Sequence, residues 1–311
     1  MSATAPAALR GLFEGLIDYA GLFPPASLAL PSVVDRFASY RQGPFGWVLG
    51  RLVIPVRQLE EFAACRPWRE GPEADPWAIA TLGGANAADD LPRVVGFNAQ
   101  WHPVAHVDAF EARVETPEHV RQFAAQCASG VRLVCEVPQA TGIGGILDVI
   151  AEVGAVAKLR AGGVVATAIP STRDLAGFLL ETARRRVPIK ATAGLHHAVR
   201  GEYRLTYEPG APRALMHGFL NLLWGAAWVQ ARALPAPEGP GVPDLDVPDA
   251  LLALLERRDA PEGRADGPRM RWGDDAFEAA ALIDARSSSV IAIGSCSFEE
   301  PVAELQRLGL L

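Results

Sequence analysis

Three runs decide how this chain folds: Val131-Arg132-Leu133-Val134-Cys135-Glu136-Val137, Ala155-Val156-Ala157-Lys158-Leu159, and Pro188-Ile189-Lys190-Ala191-Thr192-Ala193. Each is apolar nearly throughout rather than at alternate positions. That pattern marks strands buried on both faces, as in a parallel sheet covered by helices. Further runs of the same kind lie at Leu16–Phe23, Trp47–Val56, Trp77–Leu82, Phe110–Glu115 and Val290–Ile293. Eight such runs with helical segments between them predict an α/β fold, a (β/α)8 TIM-type barrel forming a single domain over residues 1–311. The competing doubly wound sheet lacks its glycine fingerprint, since no Gly-x-Gly-x-x-Gly follows the first run.

Helix starts support the same rhythm. Thr116-Pro117-Glu118 reads as an N-cap with proline in the first turn. Ser32 with Asp35, Ser171 with Asp174, and Ser297 with Glu300 have capping-box spacing. The rhythm breaks between Pro235 and Pro268, a stretch rich in Pro, Gly, Asp and Glu with one helix expected at Ala250–Arg258. That composition predicts an exposed insertion before the last strand. Ala214 to Leu234 is apolar enough to suggest a membrane span. His217, Asn221, Gln230 and Arg232 interrupt it, so a core helix is expected instead.

Composition narrows the function classes. Half of the 311 residues are hydrophobic, which suffices for a packed core. A net charge of −7 without a basic stripe argues against a nucleic-acid partner. Cys65, Cys127, Cys135 and Cys296 form no Cys-x-x-Cys pair, so neither a zinc ribbon nor a disulfide framework is expected. Glu14 and Asp18 break the first apolar segment, and a cytoplasmic protein with no membrane partner is the expectation.

The chemistry is expected at the lysines. The chain has only two, Lys158 and Lys190, both inside apolar strand-like runs, while every other basic side chain is arginine. Arginine stays protonated, whereas a buried lysine can release its proton and act as a nucleophile. Alternation places Lys158 with Arg160 on one face of the sixth strand, and Lys190 with Thr192 on one face of the seventh. If both lysine faces point inward, the two ammonium groups meet in low dielectric, and one pKa should fall toward neutrality. Polar residues at strand ends complete the candidate set: Glu136 or Asp18 as proton carrier, Arg160 or His197 as clamp for an anionic substrate group, and Thr192, His196, Ser295 and Ser297 around the substrate, with His217 and Asn221 from the following helix. A Glu136 salt bridge to one lysine would instead favour a structural pair. Glu111, Arg113 and Glu115 also lie in the fourth run, without an assigned role.

The segments Val134-Cys135-Glu136, Val156-Ala157-Lys158-Leu159-Arg160-Ala161-Gly162-Gly163 and Ile189-Lys190-Ala191-Thr192-Ala193-Gly194 resemble the late strands of class I aldolases of the deoxyribose-phosphate aldolase type. Ile293-Gly294-Ser295-Cys296-Ser297 is similar to that family's phosphate-contacting ending. The resemblance covers about a third of the chain. It implies that Lys158 forms a Schiff base with a carbonyl substrate and that Lys190 perturbs it, with no cofactor. Leu159-Arg160-Ala161 departs from the family's Thr-Ser-Thr, and the family's strand-four aspartate has no evident counterpart. The acidic pair Glu299 and Glu300 would oppose a phosphate at the final helix, where a plain cap is the other reading.

Rival readings rest on the histidines and cysteines. His217, Asn221, Trp224 and Trp228 form one helical stripe, which suits either a site wall or a core seam. His197, His217, Glu136 and Cys296 could assemble around a divalent metal ion in a lyase, isomerase or hydrolase. Cys135 or Cys296 could act as a nucleophile beside a cation. A non-catalytic barrel would use Arg113, the insertion and the tryptophan-lined helix for contacts. The expected partner is a small-molecule substrate with an anionic group, or a second copy of the chain in a homo-oligomer.

Overall fold

A computed structural model describes residues 7–65, 76–84, 87–139, 142–232, 246–262 and 269–311. Its strands are β1 (Ile17–Tyr19), β2 (Leu49–Pro55), β3 (Trp77–Leu82), β4 (Ala105–Arg113), β5 (Arg132–Glu136), β6 (Val156–Arg160), β7 (Ile189–Thr192), β8 (Gly201–Arg204), β9 (Arg213–Met216), β10 (Arg269–Trp272), β11 (Asp275–Glu278) and β12 (Val290–Ser295). Eight of them close a barrel in the order β1-β12-β7-β6-β5-β4-β3-β2, every pairing parallel. The chain is therefore a (β/α)8 TIM-type barrel, as the eight apolar runs predict. Two short antiparallel hairpins, β8–β9 and β10–β11, lie outside it between β7 and β12.

Two apolar layers hold the barrel. Inside, a small cluster of Val53, Ala80, Ala109, Val134 and Val156 fills one level of the lumen. Outside, alternate residues of the same strands, among them Leu52, Ile54, Ile79 and Leu159, join the large core beneath the helices. The double burial explains the near-continuous hydrophobic runs. Because the inner cluster is built from Val and Ala, the level above it has room for longer polar side chains.

Helix starts follow the expected chemistry with two exceptions. Thr116 Oγ1 accepts the His119 amide at 3.2 Å at the start of helix Pro117–Gln126. Ser171 and Asp174 form a reciprocal capping box on helix Thr172–Arg184. Ser297 Oγ accepts the Glu300 amide at 3.2 Å, but helix Glu299–Arg307 has Phe298 at its N-cap and the Glu300 carboxylate accepts from Tyr207, so that box is only half formed. Ser32 does not cap: helix Leu30–Gln42 begins earlier, at the Ala29 N-cap, with Pro31 in its first turn. Proline's fixed φ suits that first turn, and it overrides the serine two positions inside.

The segment before β12 also differs from expectation. Residues 233–245 and 263–268 lie outside the described part, but helix Asp249–Leu255 does not form an exposed excursion. Leu251, Leu254 and Leu255 are buried in the main core. The apolar stretch beginning at Ala214 resolves into β9 and the buried helix Phe219–Gln230. Among the described residues, no helix is long and apolar enough to cross a membrane.

Candidate active site

Register sets the centre of the lumen. Arg113 on β4 aligns with Glu136 on β5, Glu136 with Lys158 on β6, and Lys158 with Lys190 on β7. Residues in register on parallel strands share a face, so this row of charges projects inward together. Both lysines are buried and face one cavity at the C-terminal ends of the strands. Arg160 and Thr192, also in register, stand one layer nearer the mouth.

The lysines do not meet each other bare. Glu111 on β4, fully inside the barrel, bridges them: Oε2 lies 2.7 Å from Lys158 Nζ and Oε1 accepts from Lys190 Nζ at 2.6 Å. Lys158 also contacts Glu136 Oε2 at 3.0 Å, and Lys190 donates to Asp18 Oδ2. Asp18 Oδ1 accepts the Arg51 amide at 2.7 Å, while the Arg51 guanidinium forms a two-pronged pair with Asp108 at 2.7 Å for each bond. A chain of ion pairs thus runs Asp18, Lys190, Glu111, Lys158, Glu136, and the Arg51 backbone amide joins it to the Arg51–Asp108 pair.

This arrangement corrects one expectation. Mutual repulsion of the lysines does not govern the site, because a carboxylate sits between them. Burial alone would weaken the Lys190 ammonium, but Asp18 and Glu111 outweigh it and raise the pKa above the ordinary lysine value. Lys190 therefore stays a cation, with Glu111 between it and Lys158, and the salt bridge of Glu136 to Lys158 at 3.0 Å is the arrangement expected of a structural pair. Glu111 shows the converse: burial opposes its charge, yet Lys158 and Lys190 bring its pKa down to about 2. For Glu136, burial is likewise outweighed, first by Lys158 and then by Arg160 and Arg113, and its pKa is lowered.

Close backbone approaches make room for the cluster. A Cβ on Gly50 would stand 2.4 Å from Asp18 Oδ1, where the carboxylate receives the Arg51 amide. On Gly294, a Cβ would stand 2.7 Å from Thr192 Oγ1 and 3.8 Å from Lys190 Cε. Glycine at these two positions lets β1 and β2, and β7 and β12, bring their polar groups into the lumen.

The cavity above the cluster encloses about 300 Å³. Phe23, Pro24, Pro25 and Leu82 form an apolar wall. Thr192, His196 and Cys296 form the other side, and Leu205 and Met216 from the β8–β9 hairpin roof it. His196 Nδ1 lies 3.1 Å from Ser295 Oγ and 3.6 Å from Cys296 Sγ. Burial, aided by nearby His197, lowers the His196 pKa to about 4, so the wall presents a neutral imidazole near pH 7. Burial also raises the Cys296 thiol, the opposite of an activated nucleophile. Cys135 faces the outer core, and burial pushes it up to about 12.

Several expected site residues serve the scaffold instead. His197 Nδ1 bonds Glu304 at 2.7 Å, and its ring stacks on Tyr203 with centroids 3.4 Å apart. The Arg200 guanidinium bonds His217 Nδ1 at 2.8 Å, and His217 Nε2 bonds the Pro170 carbonyl at 2.9 Å. Asn221 accepts from the Arg200 amide and donates to the Leu254 and Arg257 carbonyls. The helical stripe is therefore a core seam. Ser295 lies behind His196, and Ser297 accepts the Glu300 amide at the start of the last helix, so neither reaches the cavity wall. His197, His217, Glu136 and Cys296 are not brought together, and no group of three or more His, Cys, Asp or Glu suited to a metal occurs among the described residues.

Fold and site together define a parallel barrel whose C-terminal mouth opens onto two lysines clamped by Asp18, Glu111 and Glu136. In comparisons with known proteins, no family model and no curated sequence matches the chain.

Proposed function

We propose that the protein is an aldolase-type carbon–carbon lyase that binds a small carbonyl compound as an imine on Lys158. The observation that carries this reading is the inward pair of buried lysines, bridged by Glu111, at the floor of a cavity on the C-terminal face. Reactive groups of parallel barrels gather on that face. The resemblance of β5–β7 to class I aldolases supports the same assignment.

The contacts favour Lys158 over Lys190 as nucleophile. Lys190 is gripped by two carboxylates and holds its proton more tightly than an ordinary lysine. Glu136, the second partner of Lys158, divides its charge among Lys158, Arg113 at 3.4 Å and Arg160 at 3.8 Å. Glu136, 3.0 Å away, takes the ammonium proton of Lys158, and the free amine attacks the carbonyl carbon. Glu136 returns its proton as the carbonyl oxygen leaves as water, and a protonated imine remains. This cation draws electrons from the carbon–carbon bond beyond the adjoining carbon: a hydroxyl there gives its proton to Glu136, that carbon leaves as an aldehyde, and the electron pair of the broken bond remains as an enamine on Lys158. Lys190 stays charged and fixes Glu111 against Lys158.

Borohydride reduction with a panel of small aldehydes and oxo acids, followed by peptide mapping, tests the assignment. A stable adduct on Lys158, absent from Lys158→Ala, is expected. An adduct confined to Lys190 would reverse the roles, and no adduct across the panel would remove the imine.

A further inference from the structure

We infer that the carbonyl compound taken at Lys158 carries a carboxylate, which Arg160 receives, so that the substrate class is a small 2-oxo acid; this rests on the imine reading above. The first ground is a local charge imbalance. Lys158, Lys190, Arg113 and Arg160 meet only Asp18, Glu111 and Glu136, because Arg51 is already balanced by Asp108. The two arginines at the mouth, Arg113 and Arg160, are 70% and 44% exposed and share the one Glu136 carboxylate, so an anion arriving there meets an attractive field.

Arg160 is the cation placed to use it. Its guanidinium lines the cavity and is 44% exposed. It stands 3.8 Å from Glu136, beyond hydrogen-bond reach, and donates no hydrogen bond among the described residues. Its planar fork of N–H groups suits a carboxylate, which it can bind through two parallel bonds. Distance is the second ground. Lys158 Nζ and Arg160 Nη1 approach opposite oxygens of the same Glu136 carboxylate, at 3.0 and 3.8 Å. Both cations thus flank one carboxylate group, and a 2-oxo acid, which joins its carbonyl carbon directly to its carboxylate, can place the first at Lys158 and the second toward Arg160. The rest of such a molecule has Phe23, Pro24, Pro25 and Leu82 on one side and Thr192 and His196 on the other, which favours a short chain with an apolar edge and the hydroxyl that cleavage requires.

The step balances without another reactant. The Lys158 ammonium and the oxo group give the protonated imine and one water. The substrate carboxylate keeps its charge and takes no part in bond making.

The test compares pyruvate with propanal as probes for borohydride trapping on the full chain. Wild type should trap pyruvate at Lys158 at concentrations roughly tenfold or more below those needed for propanal. In Arg160→Met that preference should fall by about tenfold or more, and Arg160→Lys, which keeps the charge but loses the fork, should lie between. Arg160 is part-exposed and makes no hydrogen bond through its side chain, so these variants are expected to fold; circular dichroism checks it. Trapping of propanal in preference to pyruvate, or a preference unchanged in Arg160→Met, overturns the oxo-acid assignment while leaving the imine intact. No Lys158 adduct with either probe overturns both.

Discussion

Glu111 is the residue on which the cluster turns. Each of its oxygens serves a different lysine, so its removal leaves two buried ammonium groups short of a partner. Breaking a buried ion pair from one side costs about 3–5 kcal/mol. Glu111→Ala is expected to lower unfolding stability by that order, read as a shift in the urea midpoint at pH 7, and to abolish imine trapping. Little change in either would mean that Asp18 and Glu136 suffice alone. The sequence shows Glu111 in a strand, yet alternation gives Arg113 and Glu115 the same face and cannot choose among them. The choice depends on contacts across the lumen from β4 to β6 and β7, which exist only once the barrel closes. Asp18 could be picked out as a strand-end acid, but its partner Lys190 lies two strands away with β12 between them.

At the scale of the elements, hydrophobic patterning was a sufficient guide to the strands that form the barrel. Each predicted run contains or overlaps one of its strands, because burial on both faces leaves a signal independent of what packs there. β4 begins earlier than expected, at Ala105. Its polar residues His106 and Asp108 disguise the start, and Asp108 is inside only because Arg51 pairs with it. The β8–β9 hairpin was not legible, since its strands are four residues long and only one of their eight residues, Met216, is buried. The histidine stripe failed for another reason: periodicity identifies a shared face but not what covers it. Two substitutions test how tightly strand ends are specified. Gly50→Ala drives a methyl group into Asp18 and should cost about 1–3 kcal/mol by overpacking. Ala193, which follows β7, has φ +60°. Ala193→Gly removes that penalty and should raise stability by about 1 kcal/mol, measured by chemical denaturation, unless backbone freedom gained in the unfolded chain offsets it.

For the whole molecule, buried charge and buried imidazole give acid sensitivity in two stages. His196 titrates near 4 instead of 6.5, so its contribution is complete above 6.5 and is lost as pH falls through 4. Burial lowers His217 as well, which adds to this first stage. Glu111 titrates near 2 instead of 4.5, so its contribution is complete above 4.5 and disappears only as pH falls toward 2. Unfolding free energy should therefore begin to fall below about pH 6.5 and steepen below 4.5. His196→Gln should flatten the upper stage and leave the lower. A profile level from 6.5 to 4.5 would contradict a neutral imidazole in the cavity wall.

The roof and the floor of the cavity have separate origins along the chain. Charges on the floor come from barrel strands locked into one register, whereas Leu205 and Met216 arrive on a hairpin attached by a single excursion after β7. Exchange of that ribbon would reshape the space offered to a guest while sparing every ionic contact below it. The ribbon is thus where the size and shape of a guest can be altered, while recognition of its charge stays with Arg160 on β6.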